Sequence, residues 1–255
     1  MTLLRCALLL FFTATAAYAE WTIRSASSEP GRLGLVHRQI VLENSQSNSR
    51  TTLDLAVFST KACTLRVIDQ PSPDRADLAE TMQRHHCLAG VNGGYFDSDY
   101  SPVGLLVSDG KIIAPLRRAR LITGVLAVSS KGMQILRVRE FPVQEKFGAA
   151  VQCGPFLVEN GRSVGGLDAT RTARRTFALV GGTDRGALGF CSGASLLELA
   201  KILATPHGIA DFKVSRAINL DGGSSSAFWF ARENGGAYSV PEQKPVRDFV
   251  AVTPR

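Results

Sequence analysis

Residues 217–230 read AINLDGGSSSAFWF, and this stretch decides the fold class because an apolar run enters a glycine-rich polar loop and a second apolar run leaves it. Short apolar runs bounded by glycine and serine are typical of buried β-strands. Residues 87–97, CLAGVNGGYFD, repeat the pattern. Each loop sets an asparagine and a carboxylate beside paired glycines directly after a strand. The two stretches therefore predict strand ends that carry polar loops.

Outward from these loops the chain shows many short strand-like runs and only two convincing helices. Asp109-Gly110 between apolar runs predicts a hairpin. One amphipathic helix is predicted from Pro73-Asp74 to His85-His86, where the histidines favour a capping role, and a second begins at Ser195, with Glu198 completing a capping box. The strands follow one another too closely for crossover helices. We expect an α+β fold, a single domain with a mixed, largely antiparallel β-sheet and a few helices.

The N-terminus has the pattern of a secretory signal. Arg5 precedes the apolar residues 6–12 (CALLLFF), and Ala17-Tyr18-Ala19 forms a small-x-small cleavage site. We expect a signal peptide over residues 1–19, an N-terminal strand and loop extension over residues 20–52, and the main domain over residues 53–255. The protein is then secreted or periplasmic, and no later stretch is apolar and long enough to span a membrane.

Composition narrows the class of partner. The chain has 255 residues, 45% of them hydrophobic, and a net charge of +7, which indicates a basic globular protein. Aromatic residues make up only 7% and do not alternate with the basic clusters as a nucleic-acid platform requires, so nucleic acid is not an expected partner. An anionic partner fits the charge better.

Four cysteines follow the predicted signal: Cys63, Cys87, Cys153 and Cys191. An even number in an exported chain predicts two disulfides. Sequence order favours Cys63 with Cys87 and Cys153 with Cys191, although all three pairings remain open. Their spacing lacks the C-x-x-C pairs of a structural zinc site.

The glycine loops and an arginine cluster are the candidates for chemistry. Paired glycines allow backbone N–H groups to approach a ligand closely, although two tight turns would use the same residues. Arg171, Arg174 and Arg175 lie between the loops in sequence, and the arginine fork suits phosphate. A second cluster, Arg117-Arg118-x-Arg120, fits a solvated basic face equally well.

Four motifs in this order resemble those of the phosphodiester glycosidase family. They are NGGYFD at residues 92–97, Gly154-Pro155, Arg175-Thr176, and NLDGGSSSAF at residues 219–228. The resemblance extends from about residue 53 to residue 252. It implies an exported hydrolase that cleaves the glycosidic C–O bond of a sugar phosphodiester, on an envelope or extracellular glycan.

The resemblance and the chemistry of the reaction together imply roles for individual residues. A phosphate monoester leaves as a stable anion, so one carboxylate can serve where glycosidases commonly use two. Asp221 is the expected nucleophile or general base, Asp97 takes the remaining carboxylate role, and Arg175 holds the phosphate. The expected substrate-binding or orienting residues are Asn92, Gly93, Gly94, Thr176, Asn219, Gly222, Gly223 and Ser224. No cofactor or metal is assigned, while a divalent ion between Asp97 and Asp221 stays open.

Two other functions remain open at this point. A phosphodiesterase would cleave the P–O bond at the same site, and a binding module would hold anionic glycans through its arginines without turnover. The sequence predicts no oligomeric state.

Overall fold

A computed structural model describes residues 21–71, 76–205 and 209–255, and these residues form 18 β-strands and two α-helices. The strands are β1 Trp21–Pro30, β2 Val36–Asn44, β3 Arg50–Ser59, β4 Cys63–Asp69, β5 Ala89–Asn92, β6 Leu106–Ser108, β7 Lys111–Ala114, β8 Gly124–Ser129, β9 Gly132–Arg137, β10 Ala149–Cys153, β11 Phe156–Glu159, β12 Arg162–Ser163, β13 Ala173–Gly181, β14 Arg185–Ala194, β15 Val214–Asn219, β16 Phe228–Ala231, β17 Ala237–Val240 and β18 Asp248–Pro254. The helices are α1 Leu78–Arg84 and α2 Leu196–Ala204.

The strands form three sheets around a common core. An eight-stranded sheet has the order β1-β2-β3-β14-β13-β15-β11-β12, and two five-stranded sheets have the orders β7-β6-β10-β8-β9 and β17-β16-β5-β18-β4. Phe58 and Phe156 from the first sheet, Leu126 from the second, and Val91 and Val250 from the third are buried in one cluster. Burial of such side chains from three sheets fixes how the sheets face one another.

The two helices cover outer faces of the sheets. In α2, Leu199 and Leu203 pack with Phe177 and Leu179 of β13 on the side of the eight-stranded sheet away from the common core. In α1, Met82 packs beside the β5–β18 sheet, where a Cβ on Gly90 would lie 2.2 Å from its sulfur. Short amphipathic helices such as these are stable only when their apolar face packs against an apolar surface of the sheet.

The β-rich, largely antiparallel architecture with a few helices is confirmed, and all strand pairs of the described residues are antiparallel. The strands form three sheets where the sequence predicted one mixed sheet. The predicted hairpin joins β6 to β7, and Asp109 (φ 47°) and Gly110 (φ 78°) adopt the left-handed conformations that such a turn requires. In the described residues α1 begins after its N-cap Asp77, while Pro73-Asp74 lie outside them.

The segment over residues 20–52 supplies β1 and β2, and β2 pairs with β3, so these strands extend the eight-stranded sheet at one edge. The predicted signal peptide over residues 1–19 lies outside the described residues. Among the described helices, none has the length and apolar character needed to cross a membrane.

The prediction of two disulfides is wrong for this structure, because Cys63, Cys87, Cys153 and Cys191 are all free, buried thiols. Cys63 begins β4 and Cys87 precedes β5, and β18 lies between these two strands. Neighbouring strands are about 4.8 Å apart, so this pair is separated by about twice that distance. A disulfide requires the two Cα atoms to lie within about 7 Å.

The second predicted pair is separated by the eight-stranded sheet. Cys153 ends β10 and packs in the common core, whereas Cys191 on β14 packs in the cluster that contacts α2. The Cys191 sulfur lies 3.2 Å from the hydroxyl of Thr51, its neighbour on β3. The two thiols therefore face opposite sides of one sheet.

The capping box of α2 is present as predicted, and it allows a test of the fold. The buried Ser195 hydroxyl accepts from Glu198 N (3.2 Å), and the Glu198 carboxylate accepts from Ser195 N (2.9 Å). We expect Ser195→Ala to lower the free energy of unfolding by about 1 kcal/mol, because it leaves a helix N–H without a partner. Urea denaturation measures this loss. Ser163→Ala, at an exposed position on β12, is the matched control, and equal losses in the two variants would contradict the capping role.

Candidate active site

The two glycine loops, which we define as residues 92–97 and residues 219–226, meet in the structure. Asp221 N donates to the carbonyl of Gly93 (3.0 Å), and Asn92 Nδ2 donates to the carbonyl of Asp221 (2.8 Å). The loops lie 129 residues apart in sequence at this contact. These two hydrogen bonds make them parts of one site.

Asn92 holds the site together from within the core. Its side chain is fully buried, and Oδ1 accepts from the Thr176 hydroxyl (2.6 Å) and from Ala227 N (3.0 Å). A buried amide that bonds three segments fixes their relative positions, since any lost bond leaves a polar group unsatisfied. Of the two roles predicted for Asn92, orienting the Asp221 loop matches this placement. Thr176 is also fully buried, and its hydroxyl orients the Asn92 side chain.

Asn219 is anchored on the turn at Gly154-Pro155, whose peptide bond is cis. Its Nδ2 donates to the Gly154 carbonyl (3.0 Å), which also accepts from the Tyr95 hydroxyl (2.7 Å). Asn219 is 1% exposed, so it positions the start of the second glycine loop from the buried side. The turn at residues 154–155 thus supports the second glycine loop at residues 219–223.

Asp221 is half-buried at the surface of the site. Burial raises the pKa of its carboxyl, while the Ser225 hydroxyl, the Lys244 ammonium and the Gly222 N–H oppose that rise. Lys244 is exposed and also lies 5.2 Å from the ring of Phe96 in the first glycine loop. The result is a partly buried carboxyl with a pKa above its usual value.

Arg175 faces the second glycine loop. Its Nε donates to the carbonyl of Ala194 (3.0 Å) and its Nη2 to that of Arg171 (2.6 Å). Arg175 is 8% exposed, and a Cβ on Gly222 would lie 3.8 Å from Nη1, so the second glycine loop passes beside the guanidinium at contact distance. Burial lowers the pKa of Arg175, yet an arginine keeps its proton in proteins. No salt bridge of the described residues neutralises this charge.

The remaining residues of the second glycine loop form a short turn. Gly223 has φ 66°, in the left-handed region that favours glycine. Ser224 is half-buried, and its carbonyl accepts from Gln243 N (2.8 Å). The segment before β18 therefore closes against this loop.

Asp97 takes no part in the hydrogen bonds that join the two glycine loops. It is exposed in a turn, where its N donates to the Ser101 carbonyl (2.9 Å) and its carbonyl accepts from Tyr100 N (2.9 Å). Among the described residues, no hydrogen bond or ion pair joins its carboxylate to Asp221. Nor do those residues gather three or more His, Cys, Asp or Glu side chains into a metal site.

Asp248 is the carboxyl that the structure places behind the first glycine loop and that sequence reasoning missed. Its Oδ1 accepts from Gly94 N (3.1 Å) and its carbonyl from Gly93 N (2.9 Å). A Cβ on Gly93 would lie 1.8 Å from Oδ1, so only glycine fits against this carboxyl. The sequence signal is an acidic residue opening an otherwise apolar strand, β18.

Asp248 is 1% exposed and its Oδ2 has no partner. The adjacent Arg247 does not neutralise it directly, because its guanidinium binds Asp69 (2.7 Å). Burial raises the pKa of Asp248 to about 7, and the charges of Asp69 and Asp221 act in the same direction. Below that pH the carboxyl is neutral and adds no charge behind the site.

Buried polar atoms without a partner concentrate around these loops. Of ten such atoms in the described residues, six lie here: Arg174 Nε, Asn219 Oδ1, Ser225 Oγ, Ser226 Oγ, Glu242 Oε2 and Asp248 Oδ2. Ser225 influences Asp221 electrostatically but makes no hydrogen bond of regular geometry. Native proteins satisfy most buried polar groups, so this concentration indicates a functional site.

Comparison with known proteins assigns the family. The model of the phosphodiester glycosidase family matches residues 85–253, well over half of the chain. The chain belongs to the phosphodiester glycosidase family. The matched range contains both glycine loops, the Gly154–Pro155 turn and Arg175.

Solved structures agree with this family at the level of the fold. The catalytic domain of zebrafish N-acetylglucosamine-1-phosphodiester alpha-N-acetylglucosaminidase, auto-inhibited by its pro-peptide, is 17% identical with a TM-score of 0.60, covering 95% of this chain and 85% of that one. A hypothetical protein from Synechocystis is 15% identical with a TM-score of 0.62, covering 91% of this chain and 64% of that one.

A relative from Escherichia coli (strain K12), the uncharacterized protein YigE, is 31% identical over 91 residues. That match covers 33% of this chain and 36% of the relative, so it spans little more than a third of that protein's length.

Asp248 provides a test of this site that does not need a substrate. The folded state keeps the Asp248 proton up to about pH 7, whereas the unfolded chain loses it near 3.8, so the folded state binds more protons between these values. The free energy of unfolding must then fall as the pH rises through this window. Asp248→Asn retains an acceptor for Gly94 N and removes the titration.

We expect the free energy of unfolding of the wild type to fall, relative to that of Asp248→Asn, by about a few kcal/mol as the pH rises from about 4 to about 8. One pKa unit corresponds to about 1.4 kcal/mol, and urea denaturation at a series of pH values measures the difference. Glu233→Gln, at an exposed position that forms no salt bridge with a described residue, is the control and should show no such gain. Parallel pH profiles for wild type and Asp248→Asn would contradict the buried, protonated carboxyl.

Proposed function

We propose that this protein hydrolyses the glycosidic C–O bond of a sugar phosphodiester and releases a free sugar and a phosphate monoester. The observation that carries the proposal is that the second glycine loop brings together Asp221, whose carboxyl has a raised pKa, and the Arg175 guanidinium, which lies beside Gly222 and forms no salt bridge with a described residue. Membership of the phosphodiester glycosidase family supports the same reaction.

Arg175 is proposed to bind the phosphate. Two of its nitrogens are held by backbone carbonyls, which orient the guanidinium without cancelling its charge. Nη1, which lies beside Gly222, is the nitrogen proposed to bind a phosphate oxygen. A charge-assisted hydrogen bond strengthens as negative charge develops on the departing phosphate, which lowers the barrier to C–O cleavage.

Asp221 is proposed to act on the anomeric carbon, as nucleophile or as the base that activates water. Its raised pKa makes it a better base than an exposed aspartate, and Lys244 favours its ionised form. Because the phosphate monoester leaves as an anion, the reaction does not require an acid at the position of Asp97. The role of Asp97 as a second carboxylate stays a prediction, as do the export of the protein and the envelope or extracellular glycan as substrate.

Asp221→Asn tests the proposal because asparagine keeps the size of the side chain and the backbone bonds of the loop. We expect hydrolysis of a panel of sugar-1-phosphate diesters to fall at least about 100-fold. Products separated by mass give the measurement, and Asp97→Asn in the same assay tests the second carboxylate. Asp109→Asn is the matched surface control.

The bond that breaks is identified in water enriched in heavy oxygen. C–O cleavage places the label in the free sugar, whereas P–O cleavage places it in the phosphate and would establish a phosphodiesterase instead. Full activity in Asp221→Asn would contradict the assignment of this carboxylate.

A further inference from the structure

A cavity of about 590 Å³ lies outside the site described above and is lined by three arginines, Arg118, Arg137 and Arg139. We call it the arginine cavity. Ile122, Thr123 and Val138 contribute to its walls. Arg118 belongs to the basic cluster at residues 117–120, which the proposed reaction does not use.

Two of the three guanidinium groups are not neutralised. Arg137 binds Glu159 through two hydrogen bonds (2.6 and 3.0 Å). The nearby Glu140 forms a salt bridge with Arg216 (2.6 Å). Arg118 and Arg139 are exposed and form no salt bridge with any described residue. The local carboxylates are thus already engaged, and the cavity retains positive charge for a ligand.

The loop that carries Arg118 is held in place by Gln152, a side chain only 2% exposed. Gln152 Oε1 accepts from Arg117 N (3.0 Å), and Nε2 donates to the carbonyls of Arg117 (2.5 Å) and Ile122 (3.1 Å). Backbone bonds on both sides of Arg118 fix the loop over a buried amide. This side of the cavity is therefore preorganised.

The arginine cavity adjoins the candidate active site through one turn. A Cβ on Gly154 would lie 2.4 Å from the carbonyl of Leu121 and 2.8 Å from Thr123 N, so the cavity loop packs directly on this glycine. The Gly154 carbonyl in turn accepts from Asn219, two residues before Asp221. The cavity loop and the second glycine loop are therefore both anchored on the turn at Gly154.

We propose that the arginine cavity binds a second phosphate group of the substrate, and that the substrate class is a glycan with more than one phosphodiester along its chain. The substrate class rests on the proposed function, whereas phosphate binding by the cavity does not. Arg118 and Arg139 supply the binding groups, because the planar fork of arginine matches phosphate oxygens.

Calorimetric titration with inorganic tripolyphosphate tests the cavity itself. The titration is done in an Arg175→Gln background, which removes the proposed phosphate contact at the active site. Adding Arg118→Gln and Arg139→Gln should weaken binding at least about tenfold, since each lost charge-assisted hydrogen bond is worth more than one factor of ten.

The matched control is Arg32→Gln with Lys111→Gln in the same background, two exposed cations outside the cavity, which removes the same charge. Equal weakening in both double variants would show general charge attraction and overturn the proposal. An absence of tripolyphosphate binding in the Arg175→Gln parent would also overturn it.

A kinetic comparison tests the substrate class. The ratio of kcat/KM for a substrate with two phosphodiesters to that for a substrate with one should fall at least about tenfold in Arg118→Gln/Arg139→Gln. An unchanged ratio would overturn the extended substrate. If neither substrate is hydrolysed, the proposed function fails, while the calorimetric result still decides whether the cavity binds phosphate.

Discussion

The buried amide of Asn92 is the contact on which the rest of the site depends. It bonds the Thr176 hydroxyl on one segment, and Ala227 N and the carbonyl of Asp221 on another, and so joins both to its own segment. Each bond is made in the core, where an unmade partner costs far more than it does in water. The position of the Asp221 carboxylate is therefore set by packing and hydrogen bonding behind the loops, so the loops can expose glycine-lined backbone to a ligand without losing their shape.

Positive charge survives at this surface because the arginines are held by groups that do not neutralise them. Backbone carbonyls orient Arg175, and Arg118 lies on a loop that the Gln152 amide fixes. Carboxylates would orient arginines equally well, but each would cancel the charge that an anionic substrate requires. The carboxyl behind the first glycine loop, Asp248, has a pKa raised to about 7 and is neutral below that pH. The surface thus combines the Asp221 carboxyl with arginines that no described carboxylate neutralises.

Local patterns in the sequence predicted the glycine loops, the hairpin at Asp109 and the capping box at Ser195, because each depends on residues that are neighbours in the chain. The position of Asp248 behind the first glycine loop could not be predicted in this way. Asp97 shares a motif with Asn92 yet lies in an exposed turn, while Asp248 reaches the loop from a strand more than 150 residues away. The disulfide prediction failed for a related reason: it rested on the expected compartment, and β18 separates the two thiols of the first predicted pair.

Amide hydrogen exchange at Asp221 and Ala227 measures most directly whether the two glycine loops form one site around Asn92. The account predicts that both amides are protected in the wild type, and that Asn92→Ala releases both while Val91, inside β5, stays protected. Local opening of this kind is separable from global unfolding. Exchange of the Asp221 amide at the rate of an exposed loop in the wild type, with Val91 still protected, would contradict the account.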